Sequence, residues 1–132
     1  MNSYLVDSDV LIDFFNKRKE ATNLLYKFLS EFSVAISVLS LMELRAGWNK
    51  KQRDIYFPLL FDLFTVKVVT GEVAELAGSI HYDYKRKGVV LSGIDCLIAS
   101  TAILGNYILV TKNVKDFPMR ELTLYRSKKL KA

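Results

Sequence analysis

The fold is decided by the stretch Tyr4-Leu5-Val6-Asp7-Ser8-Asp9-Val10-Leu11-Ile12-Asp13, close to the start of the 132-residue sequence. It opens as a short apolar run, as a buried strand does, and after Asp7 its apolar residues follow helical spacing. An acid at the carboxyl end of a strand faces the crevice where α/β proteins place their chemistry. Asp7, Ser8 and Asp9 are also favoured as helix N-caps, so this stretch alone indicates either a site residue or a cap.

Strand and helix patterns alternate along the rest of the chain. Short apolar runs predict further strands at 34–37, 66–69, 107–110 and 122–125. Amphipathic or apolar stretches predict helices at 17–32, 40–47, 51–64, 71–87 and 92–104. The helices at 40–47 and 92–104 open with capping-box spacing, at Ser40–Glu43 and Ser92–Asp95. Strands separated by helices, with no tight hairpin signal between them, predict an α/β fold with a mainly parallel sheet covered by helices.

The composition is that of a globular protein, with 51% apolar and 25% charged residues. The length suits one domain over residues 1–132, in which residues from about 127 onward form a loose basic tail. No apolar run is long enough to span a membrane, and Asp7 and Asp9 interrupt the layout of a signal peptide. A single cysteine excludes an intrachain disulfide framework and a multi-cysteine zinc site. We therefore expect a cytoplasmic protein.

The chain is basic, with a formal net charge of +5 and a pI near 9.3. Its basic residues are concentrated at 45–53, at 85–87 and from Lys112 to the end. Such clusters fit a polyanionic partner, because phosphate contacts dominate nucleic-acid affinity. They fit a solvated surface that favours solubility equally well, so charge alone leaves both interpretations open.

Four acids fall at the junctions between predicted elements, namely Asp7, Glu43, Asp95 and Asp116. Each has a local explanation, since helix N-termini favour anions. However, the strands of a parallel sheet bring their carboxyl ends to one edge, so the four acids can converge there. Carboxylates that face one another raise each other's pKa values, and a hard divalent cation such as Mg²⁺ or Mn²⁺ relieves that repulsion. Asp9 and Asp13 are predicted to be exposed helix acids.

The acids lie within four ordered motifs. These are Leu5-Val6-Asp7-Ser8-Asp9-Val10-Leu11-Ile12, Ser40-Leu41-Met42-Glu43-Leu44, Ile94-Asp95-Cys96-Leu97-Ile98-Ala99-Ser100-Thr101-Ala102 and Val110-Thr111-Lys112-Asn113-Val114-Lys115-Asp116-Phe117. Together they resemble the motifs of PIN-domain ribonucleases, and the last two are similar to those of VapC-type toxins from prokaryotic toxin–antitoxin pairs. No single motif is specific, but the four in this order cover nearly the whole chain.

The resemblance implies a three-layer α/β/α domain that acts as a Mg²⁺- or Mn²⁺-dependent endoribonuclease. The implied substrate is structured RNA, frequently tRNA. Members of the family usually form homodimers, and a cognate VapB-type antitoxin keeps them inactive by covering the acidic site. Asp7, Glu43 and Asp95 match the metal-site acids of the family one for one.

The fourth acid position departs from the family pattern. Members commonly carry an Asp two residues after the Thr of the last motif, and this chain has Asn113 there. We expect Asp116 to supply the fourth charge, with Asn113 in support and Thr111 orienting the loop. Among the basic residues, Arg45, Lys50 and Lys112 are expected to steer the RNA backbone.

Two other functions compete with the ribonuclease. Asp7-Ser8-Asp9 after the first strand is also how haloacid-dehalogenase-like phosphotransferases supply a nucleophile and an acid. The sequence has no matching downstream acidic pair and is short for that family. A non-catalytic binding module with the same fold is the second alternative. All the main acid positions are filled, which argues against loss of activity, but spacing alone does not demonstrate catalysis.

Overall fold

The computed structural model describes residues 2–127 and residue 130. Its five strands are β1 (Tyr4–Val6), β2 (Val34–Ser37), β3 (Thr65–Lys67), β4 (Ile108–Val110) and β5 (Thr123–Leu124). Its helices are α1 (Ser8–Phe15), α2 (Lys19–Glu31), α3 (Val38–Gly47), α4 (Lys50–Leu63), α5 (Gly71–Arg86) and α6 (Gly93–Gly105), with a one-turn 3-10 helix at Val114–Asp116. The predicted basic tail falls mainly on Lys128, Lys129, Lys131 and Ala132, which lie outside the described residues.

The five strands form one parallel sheet in the order β3-β2-β1-β4-β5. β1 is the central strand, in which Tyr4 pairs with Val34 of β2 on one side and Ile108 of β4 on the other. The chain builds the sheet outward from β1 to β3 and then returns to add β4 and β5 beside β1. The direction of winding thus changes at β1, and α/β sheets bind ligands at the carboxyl ends of the strands beside such a point.

Helices cover both faces of the sheet. Tyr4 and Val6 of β1 enter a core that α1 to α4 complete, whereas Leu5 enters a second core formed with α5 and α6. This alternation follows from the two-residue period of a strand, which sends successive side chains to opposite faces. The predicted three-layer α/β/α architecture with a mainly parallel sheet is confirmed.

The start of α3 differs from the prediction. Ser37, the last residue of β2, is the N-cap, and its hydroxyl accepts a hydrogen bond from the Leu39 amide at 3.1 Å. The capping box predicted at Ser40–Glu43 is therefore wrong, because the strand leads directly into the helix and Ser37 already caps it. Ser40 is fully buried inside α3, and Glu43 lies in the second turn rather than the first.

The helix α4 begins with a capping box of its own, formed by Asn49 and Gln52. It continues through Pro58 as one element to Leu63, so Pro58 does not start a second helix. The remaining predicted elements agree with the structure to within a few residues at their ends. None of the helices in the described part of the chain is long and apolar enough to cross a membrane.

Candidate active site

The carboxyl edge of the sheet gathers the acids that the sequence analysis singled out. Asp7 follows β1 directly, and its amide donates to the carbonyl of Val110 at the end of β4, at 2.9 Å. The next residue after β4 is Thr111, whose hydroxyl donates to Asp7 Oδ2 at 2.9 Å. The ends of the two neighbouring strands are thus joined by a backbone bond and a side-chain bond at the point where the sheet changes direction.

Asp7 is both a helix cap and a member of the acid cluster at the sheet edge. It is 7% exposed, and its Oδ1 accepts from the amide of Ser8, the first residue of α1, at 2.8 Å. Burial, followed by the charge of Asp9, raises the pKa of Asp7 to about 7, although the hydrogen bonds from Ser8 and Thr111 act in the opposite direction. A buried carboxylate in this state gains stability from any cation that reaches it.

Asp95 lies in the first turn of α6, where its amide donates to the hydroxyl of the N-cap Ser92 at 3.3 Å. Burial raises the pKa of Asp95 to about 6, and the charges of Asp116, Glu43 and Asp9 contribute to the rise. Within the residues that the structure describes, no side chain or amide donates a hydrogen bond to its carboxylate. The group is therefore repelled by its neighbours without compensation from a donor.

Glu43 reaches the same edge from the second turn of α3. Its Oε1 accepts a hydrogen bond from the hydroxyl of Ser8 at 3.0 Å, which places it beside Asp7. Together with its electrostatic effect on Asp95, this bond shows that Glu43 faces the acids of β1 and α6. The structure thus brings together Asp7, Glu43 and Asp95, as the sequence analysis predicted.

Asp9 belongs to the site as well, and its prediction as an exposed helix acid is wrong. Its Oδ2 accepts from the amide of Lys112 at 2.9 Å, from Asn113 Nδ2 at 3.1 Å and from Thr111 Oγ1 at 3.3 Å. Burial raises the pKa of Asp9, and these bonds lower it. The sequence signal for this role was the Asp-x-Asp spacing of Asp7 and Asp9, which was interpreted above only as a phosphotransferase motif.

Asp13 is not a free surface acid either. Its Oδ2 lies 2.8 Å from Lys112 Nζ, and both side chains are about three-quarters buried, with 25% and 22% exposure. The pair adds a second link between α1 and the segment after β4. Lys112, predicted to steer RNA, therefore lies at the site with its charge already engaged by Asp13.

The loop after β4 contains both candidates for the fourth position. Asn113 donates its backbone N–H to Thr111 Oγ1 at 3.1 Å and its side-chain amide to Asp9, so it orients the loop. Asp116 ends the one-turn helix, is exposed, and faces Asp95 closely enough that its charge is the second-largest cause of the raised pKa of Asp95. These contacts favour Asp116 as the fourth negative charge at the edge and Asn113 as a residue that orients the loop. A metal-ligand role for either residue stays a prediction.

The other two basic residues predicted to steer RNA lie around α3 and α4. Arg45 Nη1 donates to the carbonyl of Trp48 at 3.1 Å, so this guanidinium closes the end of its own helix. Lys50 is exposed at the first position of α4. Neither residue contacts the acids through a hydrogen bond in the described chain, and their proposed role stays a prediction.

The donor set fits a hard divalent cation. It consists of carboxylate oxygens, which Mg²⁺ and Mn²⁺ prefer, and two of the carboxylates have pKa values raised by burial and mutual repulsion. Over the described residues, no three His, Cys, Asp or Glu side chains are already arranged to hold a metal ion. The residue types at this edge therefore suit a hard divalent cation, which Asp7, Glu43 and Asp95 would hold.

Sequence comparison identifies related proteins. Residues 4–118 match the family profile of the PIN domain. Ribonuclease VapC1 of Methanocaldococcus jannaschii is 32% identical over 114 residues, which are 86% of this chain and 77% of that protein. Ribonuclease VapC10 of Mycobacterium tuberculosis is 37% identical over 117 residues, which are 89% of this chain and 87% of that protein.

Solved structures of similar fold come from toxin–antitoxin complexes. A chain of VapBC2 from Rickettsia felis, bound to a DNA fragment from the promoter, superposes with a TM-score of 0.84 and 25% identity over 96% of this chain and 99% of that chain. A chain of a toxin–antitoxin complex from Klebsiella pneumoniae gives a TM-score of 0.76 and 28% identity over 94% of this chain and 99% of that one. Both likenesses extend over nearly the full length of the chain, and so include every element that carries an acid.

Proposed function

The chain belongs to the PIN-domain family, as a VapC-type ribonuclease toxin of a toxin–antitoxin system, and we propose that it is an endoribonuclease dependent on Mg²⁺ or Mn²⁺. The observation that carries the proposal is the convergence of acids from β1, α3, α6 and the loop after β4 at one sheet edge. The bonds from Thr111 to Asp7 and from Ser8 to Glu43 connect these elements.

In the proposed reaction, water hydrolyses an RNA phosphodiester at this edge. Asp7, Glu43, Asp95 and Asp116 would hold the cation, with Asn113 in support. When bound, a divalent cation polarises the phosphoryl group, lowers the pKa of a bound water and stabilises the leaving oxygen.

The chain's own residues prepare the site for this chemistry. Thr111 fixes Asp7 through a hydrogen bond to Oδ2, and Ser8 fixes one oxygen of Glu43. No group in the described chain donates a hydrogen bond to Asp95, so its negative charge would be available to the cation. A carboxylate held at a set position reduces the reorganisation that the reaction requires, which is the general advantage of a preorganised polar site.

The proposed partners follow from the family and from the charge. Chains of similar structure occur in toxin–antitoxin complexes, one of them VapBC2, which supports a VapB-type antitoxin as the partner that restrains this chain. Structured RNA, with tRNA as the leading candidate, is the proposed substrate, and the net charge of +5 suits such a polyanion. We further propose a homodimer in the cytoplasm, in which residues 1–132 of each chain form one domain.

The phosphotransferase alternative is not favoured. It needs Asp9 as an acid that donates a proton to a leaving group, but one oxygen of Asp9 already accepts from Lys112, Asn113 and Thr111. The non-catalytic alternative is not favoured either, since every predicted acid faces the same edge.

The test is cleavage of total RNA by the purified protein, free of any antitoxin, with Mg²⁺ or Mn²⁺ supplied. We expect cleavage that EDTA abolishes and that Asp7→Ala and Asp95→Ala both prevent. Asp83→Asn, which changes an exposed acid on α5, is the matched control and should cleave like the parent. Cleavage that survives EDTA or either site substitution would reject the proposal, as would a phosphorylated Asp7 formed from a phosphate donor.

A further inference from the structure

A second feature lies beside the acids, on the loop that carries Asp116. It is a cavity of about 340 Å³, which we call the basic pocket. Three cationic side chains line it, and its apolar lining includes three buried side chains. The cations are Lys115, Arg120 and Arg126, and the buried residues are Phe117, Met119 and Leu122.

The charges of the basic pocket are not neutralised by any acid in the described part of the chain. No carboxylate from that part lines the cavity, and the ion pairs found among the same residues are Arg53–Asp54 and Lys112–Asp13. Glu121, the acid next to Arg120, lines a different cavity together with Tyr107. Three cations around one cavity without a counter-charge repel one another, and an anion that enters the cavity relieves that repulsion.

The walls of the basic pocket are held in place. The hydroxyl of Tyr84 on α5 donates to the carbonyl of Pro118 at 3.1 Å. Backbone bonds from Phe117 to Val114 and from Leu122 to Met119 close the turns on either side. The pocket therefore has a defined shape, which distinguishes it from a set of flexible surface lysines.

The basic pocket and the acid cluster share the one-turn helix Val114–Asp116. Val114 and Lys115 line the pocket, and the following residue, Asp116, faces Asp95. Consecutive Cα atoms lie about 3.8 Å apart, so the pocket begins within one residue of the acid cluster. The backbone that lines the pocket therefore adjoins the backbone that carries Asp116.

We propose that the basic pocket binds the sugar–phosphate backbone of the RNA strand beside the bond that is cleaved. This inference rests on the proposed ribonuclease function and names a binding site for its substrate. Arginine presents a fork of donors that matches phosphate oxygens, and lysine adds a point charge. Val114, Pro118 and Leu124, which also line the cavity and are not buried, offer an apolar surface to the ribose. Lys115, Arg120 and Arg126 thus contribute to binding, whereas Lys112 is occupied by Asp13.

The experiment measures RNA binding in place of cleavage. A labelled single-stranded RNA is titrated with Asp95→Asn protein in Mg²⁺ at several KCl concentrations, and fluorescence anisotropy reports the affinity. The test variant adds Lys115→Ala, Arg120→Ala and Arg126→Ala in the same background. All three residues are exposed, so the fold should persist, and circular dichroism checks it.

We expect the triple substitution to weaken binding by about 10²-fold or more at low salt. The slope of log affinity against log salt concentration should become shallower by about 2, since each contact to a single strand contributes roughly 0.7. Arg18→Ala with Lys19→Ala and Lys27→Ala is the matched control, because it also removes three positive charges, and Lys19 and Lys27 line a separate cavity beside α2. The control should keep both affinity and slope close to those of the Asp95→Asn parent.

An unchanged affinity and slope in the triple variant would overturn the proposal, and so would an equal loss in the control. Loss of binding to a VapB-type antitoxin with unchanged RNA binding would also overturn it, because the pocket would then be a protein interface. These readouts are independent of turnover. A parent protein that binds RNA through the pocket but never cleaves it would reject the proposed function and leave the pocket standing.

Discussion

The acid cluster has two halves that differ in how the protein holds them. The bonded half consists of Asp7 and Asp9, whose carboxylates accept hydrogen bonds from the start of α1 and from the loop after β4. The open half consists of Glu43, Asp95 and Asp116, whose carboxylates have a single donor in the described chain, the Ser8 hydroxyl on Glu43. Hydrogen bonds therefore fix the carboxylates of the bonded half, whereas in the open half the charges of Asp116 and Glu43 contribute to the raised pKa of Asp95.

This difference indicates that the two halves have different roles in the site. The bonded half holds two carboxylates at fixed positions at the switch point of the sheet, and the open half supplies negative charge that would attract a cation. It also explains why the acids are gathered at one edge although no three in the described chain are arranged around a metal ion. Changes at four places in the site test whether the two halves differ in this way.

The largest effect is expected from the open half. Asp95→Asn removes a charge that nothing else in the site replaces, so we expect RNA cleavage to fall by about 10³-fold. The rate should be measured with Mg²⁺ and with Mn²⁺ over a wide concentration range. Recovery of the parent rate at high metal concentration would show that Asp95 affects only the affinity for the cation and would contradict a direct role.

The next-largest effect is expected in the pH dependence of stability, which Asp7 of the bonded half causes. The pKa of Asp7 is raised from 3.8 to about 7 in the folded protein, so the folded state binds more protons than the unfolded state between these values. The contribution of Asp7 to the free energy of unfolding of the metal-free protein should therefore be largest below about pH 4. It should decrease by roughly 3 kcal/mol as the pH rises to about 7.

Urea unfolding at several pH values in EDTA measures this dependence. Asp7→Asn removes one titrating group and should reduce the decrease, which Asp95 continues to cause in part because its pKa is also raised. The variant should be more stable than the parent at pH 7 without metal. Adding Mg²⁺ to the parent should restore stability at pH 7 through binding to the folded state. A parent curve that rises between pH 4 and 7 in EDTA would contradict the prediction.

A smaller effect is expected at Asp9, which we regard as a positioning residue. Asp9→Ala leaves Lys112, Asn113 and Thr111 without their shared acceptor, and we expect cleavage to fall by about 10- to 100-fold. The loss should include a higher Mg²⁺ concentration at half-maximal rate. Asp9→Asn keeps an acceptor oxygen and should recover part of the activity, which a general loss of folding would not allow.

The smallest effect is expected at the Lys112–Asp13 pair. Its side chains are 22% and 25% exposed, so solvent screens the pair in part, and we expect a coupling of about 1 kcal/mol. A double-mutant cycle with Lys112→Met and Asp13→Asn measures the coupling in the free energy of unfolding. Lys112→Met should change RNA affinity less than about threefold. A larger loss would restore Lys112 as a residue that binds RNA directly.

The sequence was sufficient to predict the elements and the sheet because each strand and helix has its own local pattern. The apolar run before Asp7 and the helical spacing after it indicated both β1 and α1 correctly. The convergence of Asp7, Glu43 and Asp95 then followed from the geometry of a parallel sheet. These features depend on residues that are close together in the chain or on a general property of the fold.

Features that depend on distant partners could not be predicted in this way. Asp9 has an ordinary place in the first turn of α1, and its role arises from donors more than 100 positions later. The capping box at Ser40 was wrong because an equally suitable cap, Ser37, stands three residues earlier at the end of β2. The basic pocket, in contrast, forms from the single stretch 114–126, whose basic residues stood out in the sequence, but the way this stretch folds around a cavity did not.

The bond between Thr111 and Asp7 has a consequence for the synthesis of the protein. The two residues lie 104 positions apart, and at a translation rate of about 5–20 residues per second they leave the ribosome roughly 5–20 s apart. Until β4 has emerged and docked beside β1, the nascent chain carries Asp7 and Asp9 without the loop that fixes their carboxylates. We therefore expect a chain that ends before β4 to lack ribonuclease activity.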